Sequence, residues 1–196
     1  LFTIAKGDLL QAIENPDLEL LIRDVPIINS DLRKVIKGFE GFESILFVEG
    51  EVYLTIESRA GNPMMGYLIR GEVKGELESI TLDPESVVEL VPFSSAGNAT
   101  FEAMTYWNGK LYILYEHNSK QGDKLPVAYQ YNLDLELEQE IPFPVVDYRI
   151  TDATVSDSTG KFWVMNYFFP GDTHLAIDQD ALILEYGEGE THANNE

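Results

Sequence analysis

The stretch that decides the fold is residues 101–118, FEAMTYWNGKLYILYEHN. Two alternating apolar runs flank Asn108-Gly109, a dipeptide that favours a tight hairpin turn because both residues tolerate a positive φ. Each end of the predicted hairpin carries a carboxylate, Glu102 and Glu116, although glutamate is not an expected core residue. The stretch therefore predicts a buried β-hairpin with acidic side chains where its first strand starts and its second strand ends.

The same hairpin pattern occurs three times. Residues 42–57 read FESILFVEGEVYLTIE, and residues 151–167 read TDATVSDSTGKFWVMNY. Each copy has an acidic residue at its second position, an alternating strand, a turn ending in glycine, and an aromatic residue three positions after that glycine. The acidic residues are Glu43, Glu102 and Asp152, at intervals of 59 and 50 residues. This is the spacing of a four-stranded blade, so the repeat predicts an all-β chain of the β-propeller type.

The repeat divides this propeller domain into four parts. We expect residues 39–95 and residues 96–146 to form two complete blades of four antiparallel strands. Residues 1–38 are interpreted as the third and fourth strands of a preceding blade with a short helix between them. Residues 147–196 are interpreted as an incomplete blade, with a strand at 181–186, followed by a tail. Because propellers close with about four to eight blades, we expect additional polypeptide to complete the ring; a compact four-bladed ring closed by the termini is the alternative.

The composition excludes several classes of partner and site. The chain has 34 acidic and 13 basic residues and a formal net charge of −21, so nucleic acid is not an expected partner. The absence of cysteine excludes disulfides and thiolate metal sites. No apolar run reaches the roughly 18 residues that a membrane-spanning helix needs. The negative field favours divalent cations, although it also keeps a protein soluble, which is the simpler interpretation.

A family resemblance rests on the blade motif. Phe-Glu followed by Ser or Ala and by Ile or Met, with a second strand ending in ES or EH, resembles the phytase-like propellers, which are described as having an esterase-like activity of phytase. The chain is more distantly similar to six-bladed calcium-containing lactonase and phosphotriesterase propellers. The resemblance covers most of residues 39–170. It implies a six-bladed ring of which this chain is about half or more, a secreted or cell-envelope location, and a polar channel-mouth site that can hold calcium.

The candidate metal ligands are the first-strand acids. In a propeller blade, the inner strand starts and the second strand ends on the same face of the disc, so these side chains gather around one channel mouth. We expect Glu43, Glu102 and Asp152 to be metal ligands there, because calcium takes six to eight oxygen ligands. The alternative is that they accept hydrogen bonds from backbone amides of the neighbouring blade and hold the blades together.

The second strands and the loops after them supply the other candidates. His117 is the candidate general base, because imidazole titrates near neutral pH, although a loop histidine is more often simply solvated. The candidate ligand-binding residues are Glu57, Arg59, Glu116 and Asn118.

The strand register decides whether the two acids of one hairpin meet. A two-residue turn would pair Glu102 with Tyr115 and place Glu116 on the opposite face. A one-residue bulge would return both carboxylates to one face. The sequence leaves both arrangements open.

Two functions follow from the resemblance and the candidate residues. The first is metal-dependent hydrolysis of an ester, lactone or phosphoester at the channel mouth, although the sequence leaves open whether the chain catalyses any reaction. A phosphorylated substrate would need basic residues or bound metal to offset its charge, and the candidate loops contain few basic residues. The second function is non-catalytic binding of a small molecule or a protein partner on the same face.

Overall fold

The computed structural model describes residues 1–28, 32–60, 64–93, 99–118, 124–169 and Glu185. Within these residues most elements are β-strands, which confirms the predicted all-β class. The strand expected at 181–186 and the tail lie outside the described residues, apart from Glu185. The elements in chain order are β1 (Phe2–Ile4), α1 (Lys6–Glu14), β2 (Ile22–Asp24), β3 (Ile27–Ile28), α2 (Leu32–Val35), β4 (Phe39–Val48), β5 (Glu51–Ser58), β6 (Met65–Lys74), β7 (Ser79–Leu82), β8 (Val88–Leu90), β9 (Ala103–Trp107), β10 (Lys110–Leu114), β11 (Val127–Tyr131), β12 (Leu137–Pro142), β13 (Arg149–Ala153) and β14 (Val164–Tyr167).

The first sheet is built on an antiparallel meander of β4, β5 and β6. β7 and β8 both pair with β6 and form two halves of a fourth strand. A 3₁₀ turn at Pro84–Ser86 separates the halves, and the Asp83 carboxylate accepts a hydrogen bond from the Glu85 N–H at 3.0 Å. β3 adds to the outside of β7 in parallel. Four successive strands therefore occupy the chain from Phe39 to Leu90.

The second sheet has the order β9, β10, β11, β12, and all its neighbours are antiparallel. Trp107 pairs with Lys110 across the two-residue turn. The φ angles of Asn108 and Gly109 are 50° and 77°, which confirms the predicted tight turn. β13 and β14 form a further hairpin, called the third hairpin below, and β1 pairs with β2. β9 contacts both β4 and β13, so the first strands of the three hairpins are neighbours.

Both α-helices in the described residues are short. α1 joins β1 to β2 and ends just before Asn15-Pro16, because proline cannot continue a helix and restricts the residue before it. α2 is a single turn that leads into β4. Across the ranges that the structure describes, we find no helix long and apolar enough to cross a membrane.

The main core lies between the first and second sheets. Phe101, Tyr115 and Tyr129 are buried, and the Phe101 ring meets the two tyrosine rings edge to face at centroid distances of 5.2 and 5.4 Å. Gly66 of β6 lies against this ring, since a Cβ there would come within 2.5 Å of it. The first sheet contributes Leu46, Val48, Tyr53, Leu68 and Leu90. The third hairpin joins the second sheet through a much smaller core around Ile150.

Candidate glutamate site

A β-bulge occurs in the first strand of the first hairpin. In β4, Phe42 and Ser44 pair with adjacent residues of β5, so Glu43 is the extra residue. Such a bulge shifts the side-chain alternation by one position. The repeated acid of the first hairpin is therefore the bulge residue itself.

At Glu102, too, two residues of the first strand lie opposite one residue of the second strand. The regular pairing of β9 with β10 ends at Ala103, and the Glu116 N–H then donates to the Thr100 carbonyl oxygen at 2.8 Å. This hydrogen bond leaves two residues of the first strand opposite one residue of the second strand. Of the two arrangements that the sequence left open, the structure has the bulge, which allows the Glu102 and Glu116 side chains to meet.

The third hairpin has its bulge at Thr151, because the residues on either side of it pair with adjacent residues of β14. Asp152 therefore does not occupy the place of Glu43 and Glu102, and the predicted alignment of the third repeat is wrong by one residue. The Asp152 side chain is exposed, and its carboxylate accepts a hydrogen bond from the Ala153 N–H at 2.8 Å. This hydrogen bond of the Asp152 side chain is thus local to its own strand.

Four glutamates of the first two hairpins interact with one another. This glutamate cluster consists of Glu43, Glu57, Glu102 and Glu116. The Glu102 carboxyl donates a hydrogen bond to Glu116, and Glu43 repels both carboxylates. Thr100 bridges the second-strand acids, since its N–H donates to Glu116 at 3.2 Å and its hydroxyl donates to Glu57 at 3.4 Å. The cluster therefore joins the bulge of β4 and the residue before β9 to the end of β5 and the segment after β10.

Glu116 is the buried centre of this cluster, with a side chain that is 2% exposed. Its carboxylate forms an ion pair with Arg149 of β13, whose side chain is 11% exposed. The backbone joins the same two places, because the Ile150 N–H donates to the Glu116 carbonyl oxygen at 2.9 Å and His117 forms a β-bridge with Arg149. Glu116 thus connects the second sheet to the third hairpin.

Burial keeps Glu102 protonated near neutral pH. Loss of solvation, followed by repulsion from Glu116 and Glu43, raises the pKa of Glu102 to about 8. Burial also raises the pKa of Glu116, and the hydrogen bond and charge of Arg149 oppose that rise. Glu102 is therefore the proton donor of the pair, and Glu116 is the acceptor.

A second carboxyl pair lies at the edge of the cluster. Burial, and then a hydrogen bond to Glu40, raises the pKa of Glu57 to about 7. The Glu40 carboxylate in turn pairs with Arg59 at 3.3 Å, and both of these side chains are largely exposed. The two predicted ligand-binding residues Glu57 and Arg59 are thus connected through Glu40.

His117 and Asn118 are buried, unlike the solvated loop residues that the sequence suggested. The His117 ring lies edge-on to Tyr115 at a centroid distance of 6.5 Å. The Asn118 side chain donates to the Tyr115 carbonyl oxygen, and the Asn118 carbonyl oxygen accepts from the Val146 N–H at 3.2 Å. Both residues support the end of β10, and the catalytic role of His117 stays a prediction.

Sequence reasoning missed Thr100, Glu40 and Arg149. Each lies within three residues before the second position of its repeat, where the chain enters the inner strand. The repeat was compared only from residues 42, 101 and 151 onward, and these three residues lie just before those starts. Extending the comparison toward the N-terminus by three residues could have identified them.

The predicted calcium site at Glu43, Glu102 and Asp152 stays a prediction. Within the described part of the chain, no group of three or more histidine, aspartate or glutamate side chains is placed to hold a metal ion. The Arg149 guanidinium also lies against Glu116, where it would repel a divalent cation.

Comparison with known proteins gives no family assignment. The sequence matches no protein-family model and no curated protein.

Proposed function

We propose that this chain is part of a phytase-like β-propeller, secreted or in the cell envelope, whose glutamate cluster hydrolyses uncharged esters or lactones. The close approach of the Glu102 and Glu116 carboxyls, with Thr100 and Arg149 holding Glu116 in place, is the observation that carries this proposal. A half-buried carboxyl with a pKa of about 8 stays protonated at neutral pH and can protonate a leaving oxygen. An ionised carboxylate of the cluster takes a proton from water as the water oxygen adds to the carbonyl carbon, and Glu102 then gives its proton to the leaving oxygen as the carbon–oxygen bond breaks. Proton transfer between the two carboxyls restores the protonated Glu102.

Three features support the propeller part of the proposal. The first and second sheets each contain four successive strands in a meander, when β7 and β8 are counted together. The third hairpin repeats the bulge of the first two. The first strands β4, β9 and β13 contact one another in sequence order. In a propeller the first strands of successive blades line the central channel, so the glutamate cluster would lie at its mouth.

The charge of the cluster favours an uncharged substrate. Arg149 already pairs with Glu116, and Arg59 already pairs with Glu40. A phosphoester would bring further negative charge next to these carboxylates, at an energetic cost that grows as water is excluded. An ester or a lactone has no such cost, and we therefore prefer it to a phosphoester as the substrate class.

One observation favours a second function, which is ligand or protein binding without catalysis. Glu116 accepts a hydrogen bond from the Thr100 backbone amide and pairs with Arg149 of the next hairpin. Accepting a backbone hydrogen bond and holding neighbouring blades together is the role that the sequence analysis gave as the alternative for the first-strand acids. Here a second-strand acid, Glu116, has that role. If Glu102 also serves only to hold Glu116 in this contact, the cluster is structural. The face of the sheet that carries it can then bind a small molecule or a protein without catalysing a reaction.

Hydrolysis of uncharged chromogenic esters and lactones by the full chain tests the proposal. Glu102→Gln keeps the size and the hydrogen-bond donor but cannot transfer a proton. We expect kcat/KM to fall by about 100-fold or more, with the far-UV circular dichroism unchanged. The matched control is Glu138→Gln, which changes an exposed residue that pairs with Lys110 away from the cluster. If the wild type hydrolyses none of these substrates, or if Glu102→Gln is equally active, hydrolysis by the glutamate cluster is rejected and binding without catalysis is the function that remains.

A further inference from the structure

We propose that Thr100 is a positioning residue of the glutamate cluster, and that its side chain fixes the place of Glu57 relative to the pair of Glu102 and Glu116. The catalytic meaning of this role rests on the proposed function of the cluster. The positioning itself does not, because it follows from contacts between the first and second sheets. Thr100 is 2% exposed, and these contacts are the same however the ring of blades is completed.

The segment that carries Thr100 is held on both sides of this residue. The Ala99 carbonyl oxygen accepts a hydrogen bond from the Tyr115 hydroxyl at 3.2 Å. On the other side, the Phe101 ring is buried in the core between the two sheets. The Thr100 carbonyl oxygen itself accepts from the Glu116 N–H at 2.8 Å. The core therefore fixes the backbone at Thr100.

This fixed backbone orients the Glu116 carboxylate. The Thr100 N–H donates to Oε2 of Glu116 at 3.2 Å, and the Arg149 guanidinium donates to Oε1. Each carboxylate oxygen thus has its own donor, so the plane of the carboxylate is set from two sides. Glu102 therefore donates its proton to a group that has little freedom to rotate.

The side chain of Thr100 reaches the other sheet. Its hydroxyl donates to Oε2 of Glu57, near the end of β5, at 3.4 Å. Threonine is branched at Cβ, so its χ1 angle is restricted and a hydroxyl on a fixed backbone points in few directions. Because Thr100 is buried, little water competes for this contact. The hydroxyl therefore gives Glu57 a donor at a defined place.

This donor is uncharged, although the groups around it are charged. The carboxyls and arginines that act on Glu57 or on the pair of Glu102 and Glu116 come from every element packed around Thr100: Glu40 and Glu43 of β4, Arg59 after β5, and Arg149 of β13. A neutral hydroxyl holds one carboxyl beside the others without adding to their repulsion. It also favours the ionised form of the carboxyl that accepts its hydrogen bond.

For the proposed hydrolysis, this arrangement keeps Glu57 beside the pair that transfers protons. A displacement of about 1 Å in a catalytic group can lower a rate by about 100-fold. Thr100 acts through Glu57 and Glu116 and is not itself a reacting group. We therefore expect its substitution to lower the rate without abolishing the reaction.

Carboxyl-carbon NMR of the full chain with isotope-labelled glutamate tests the positioning. Thr100→Val keeps the branched shape of the side chain and removes the hydroxyl. We expect the titration midpoint of Glu57, about 7 in the wild type, to rise by about half a pH unit or more, because the ionised form loses a donor. Thr100→Ser retains the hydroxyl and should keep the wild-type midpoint. An unchanged midpoint in Thr100→Val, or an equal rise in Thr100→Ser, would contradict the proposal.

Thr105→Val is the matched control. Thr105 is a buried threonine of the same sheet, and its hydroxyl lies 3.1 Å from the Ser156 hydroxyl. We expect the Glu57 midpoint to stay unchanged, and a rise equal to that of Thr100→Val would contradict the proposal. All proteins are made in a host without N-glycosylation, because valine at position 100 would also remove the acceptor pattern of residues 98–100.

A second measurement applies if Thr100→Val does not fold. The Thr100 hydroxyl proton of the wild type should give a resolved NMR signal, because it is buried and hydrogen-bonded. We expect it to exchange with water at least about tenfold faster in Glu57→Met, which removes the acceptor. A wild-type signal lost to fast exchange, or equal exchange in the two proteins, would contradict the proposal.

Kinetics with the chromogenic substrates separate this role from the proposed function. We expect kcat/KM to fall by about tenfold in Thr100→Val and to stay near the wild-type value in Thr100→Ser and Thr105→Val. Full activity of Thr100→Val would overturn the positioning role in catalysis. A wild type that hydrolyses none of these substrates would reject the proposed enzyme, and the NMR titration would still test the place of Glu57.

Discussion

The second sheet meets its two neighbours through contacts of different chemistry. Toward the first sheet it presents buried rings, among them Phe101 and Tyr129. Toward the third hairpin it presents a small core and the ion pair of Glu116 with Arg149. A large apolar contact depends on the shape of its side chains, whereas a buried ion pair depends on the presence and charge of both partners. One side of the sheet is therefore fixed by packing, and the other side responds to charge.

The largest effect is expected from breaking the ion pair. Arg149→Met leaves the Glu116 carboxylate buried without its cation, so we expect the free energy of unfolding to fall by about 3–5 kcal/mol. Urea denaturation monitored by circular dichroism measures this change. Arg59→Met is the matched control, because Arg59 and Glu40 are 48% and 41% exposed, and the loss there should be below about 1 kcal/mol. Equal losses would show that burial does not distinguish the two pairs.

A smaller effect is expected from disturbing the apolar contact. Gly66→Ala places a methyl group within 2.5 Å of the Phe101 ring, and such overpacking should cost about 1–3 kcal/mol. Thermal unfolding measures the loss. Gly7→Ala is the control, since nothing lies within 4 Å of a Cβ there, and alanine favours α1 by up to about 1 kcal/mol. A Gly66→Ala protein as stable as the wild type would mean that the two sheets can adjust their separation.

The charge-dependent side should also respond to pH. The folded-state pKa values of Glu57 and Glu102, about 7 and about 8, lie above the usual 4.5, so the folded protein binds more protons than the unfolded chain. Their contribution is fully present below pH 4.5 and is lost as the pH rises through 7 and 8. We expect a loss on the order of 2 kcal/mol between about pH 5 and pH 9, after discounting for partial solvent exposure.

Urea denaturation across this pH range measures that loss. Glu102→Gln should flatten the profile, because glutamine does not titrate. Glu138→Gln should leave it unchanged, because the hydrogen bond from Lys110 lowers the pKa of Glu138 and it is already ionised in this range. A wild-type profile that rises with pH in this range would contradict the proton-sharing arrangement.

The smallest effect is expected from calcium. At about pH 6 the protonated carboxyls and Arg149 should keep the stabilisation by millimolar calcium below about 0.5 kcal/mol. At about pH 9 the ionised cluster should raise this value to on the order of 1 kcal/mol. Thermal unfolding with calcium, magnesium and EDTA measures both values. Strong stabilisation that is equal at the two pH values would indicate a calcium site other than the glutamate cluster.

Local patterns in the sequence predict much of the fold. The Asn108-Gly109 turn and the alternating strands beside it depend on residues close together in the chain, and both predictions are confirmed. The all-β class follows from the three copies of one hairpin pattern. These predictions succeed because backbone preference and hydrophobic alternation act over a few residues.

The site depends on contacts that the local pattern does not contain. Arg149 and Glu116 are 33 residues apart, and neither residue type specifies the other. Thr151 rather than Asp152 occupies the third bulge because pairing with β14 sets the register there. The polar run Glu-His-Asn after β10 is typical of a loop, yet His117 is buried by tertiary contacts around Tyr115.

At the bulge position, which is Glu43, Glu102 or Thr151, the path of the backbone does not depend on the type of the side chain. Pairing on either side of the bulge holds the backbone, so the bulge residue itself contributes no ladder pair and is free to vary. Two hairpins have an acid at this place and the third has a hydroxyl. Such a position can accumulate substitutions without a change of fold, and Thr151→Glu is the single change that would give the third hairpin the acid of the other two.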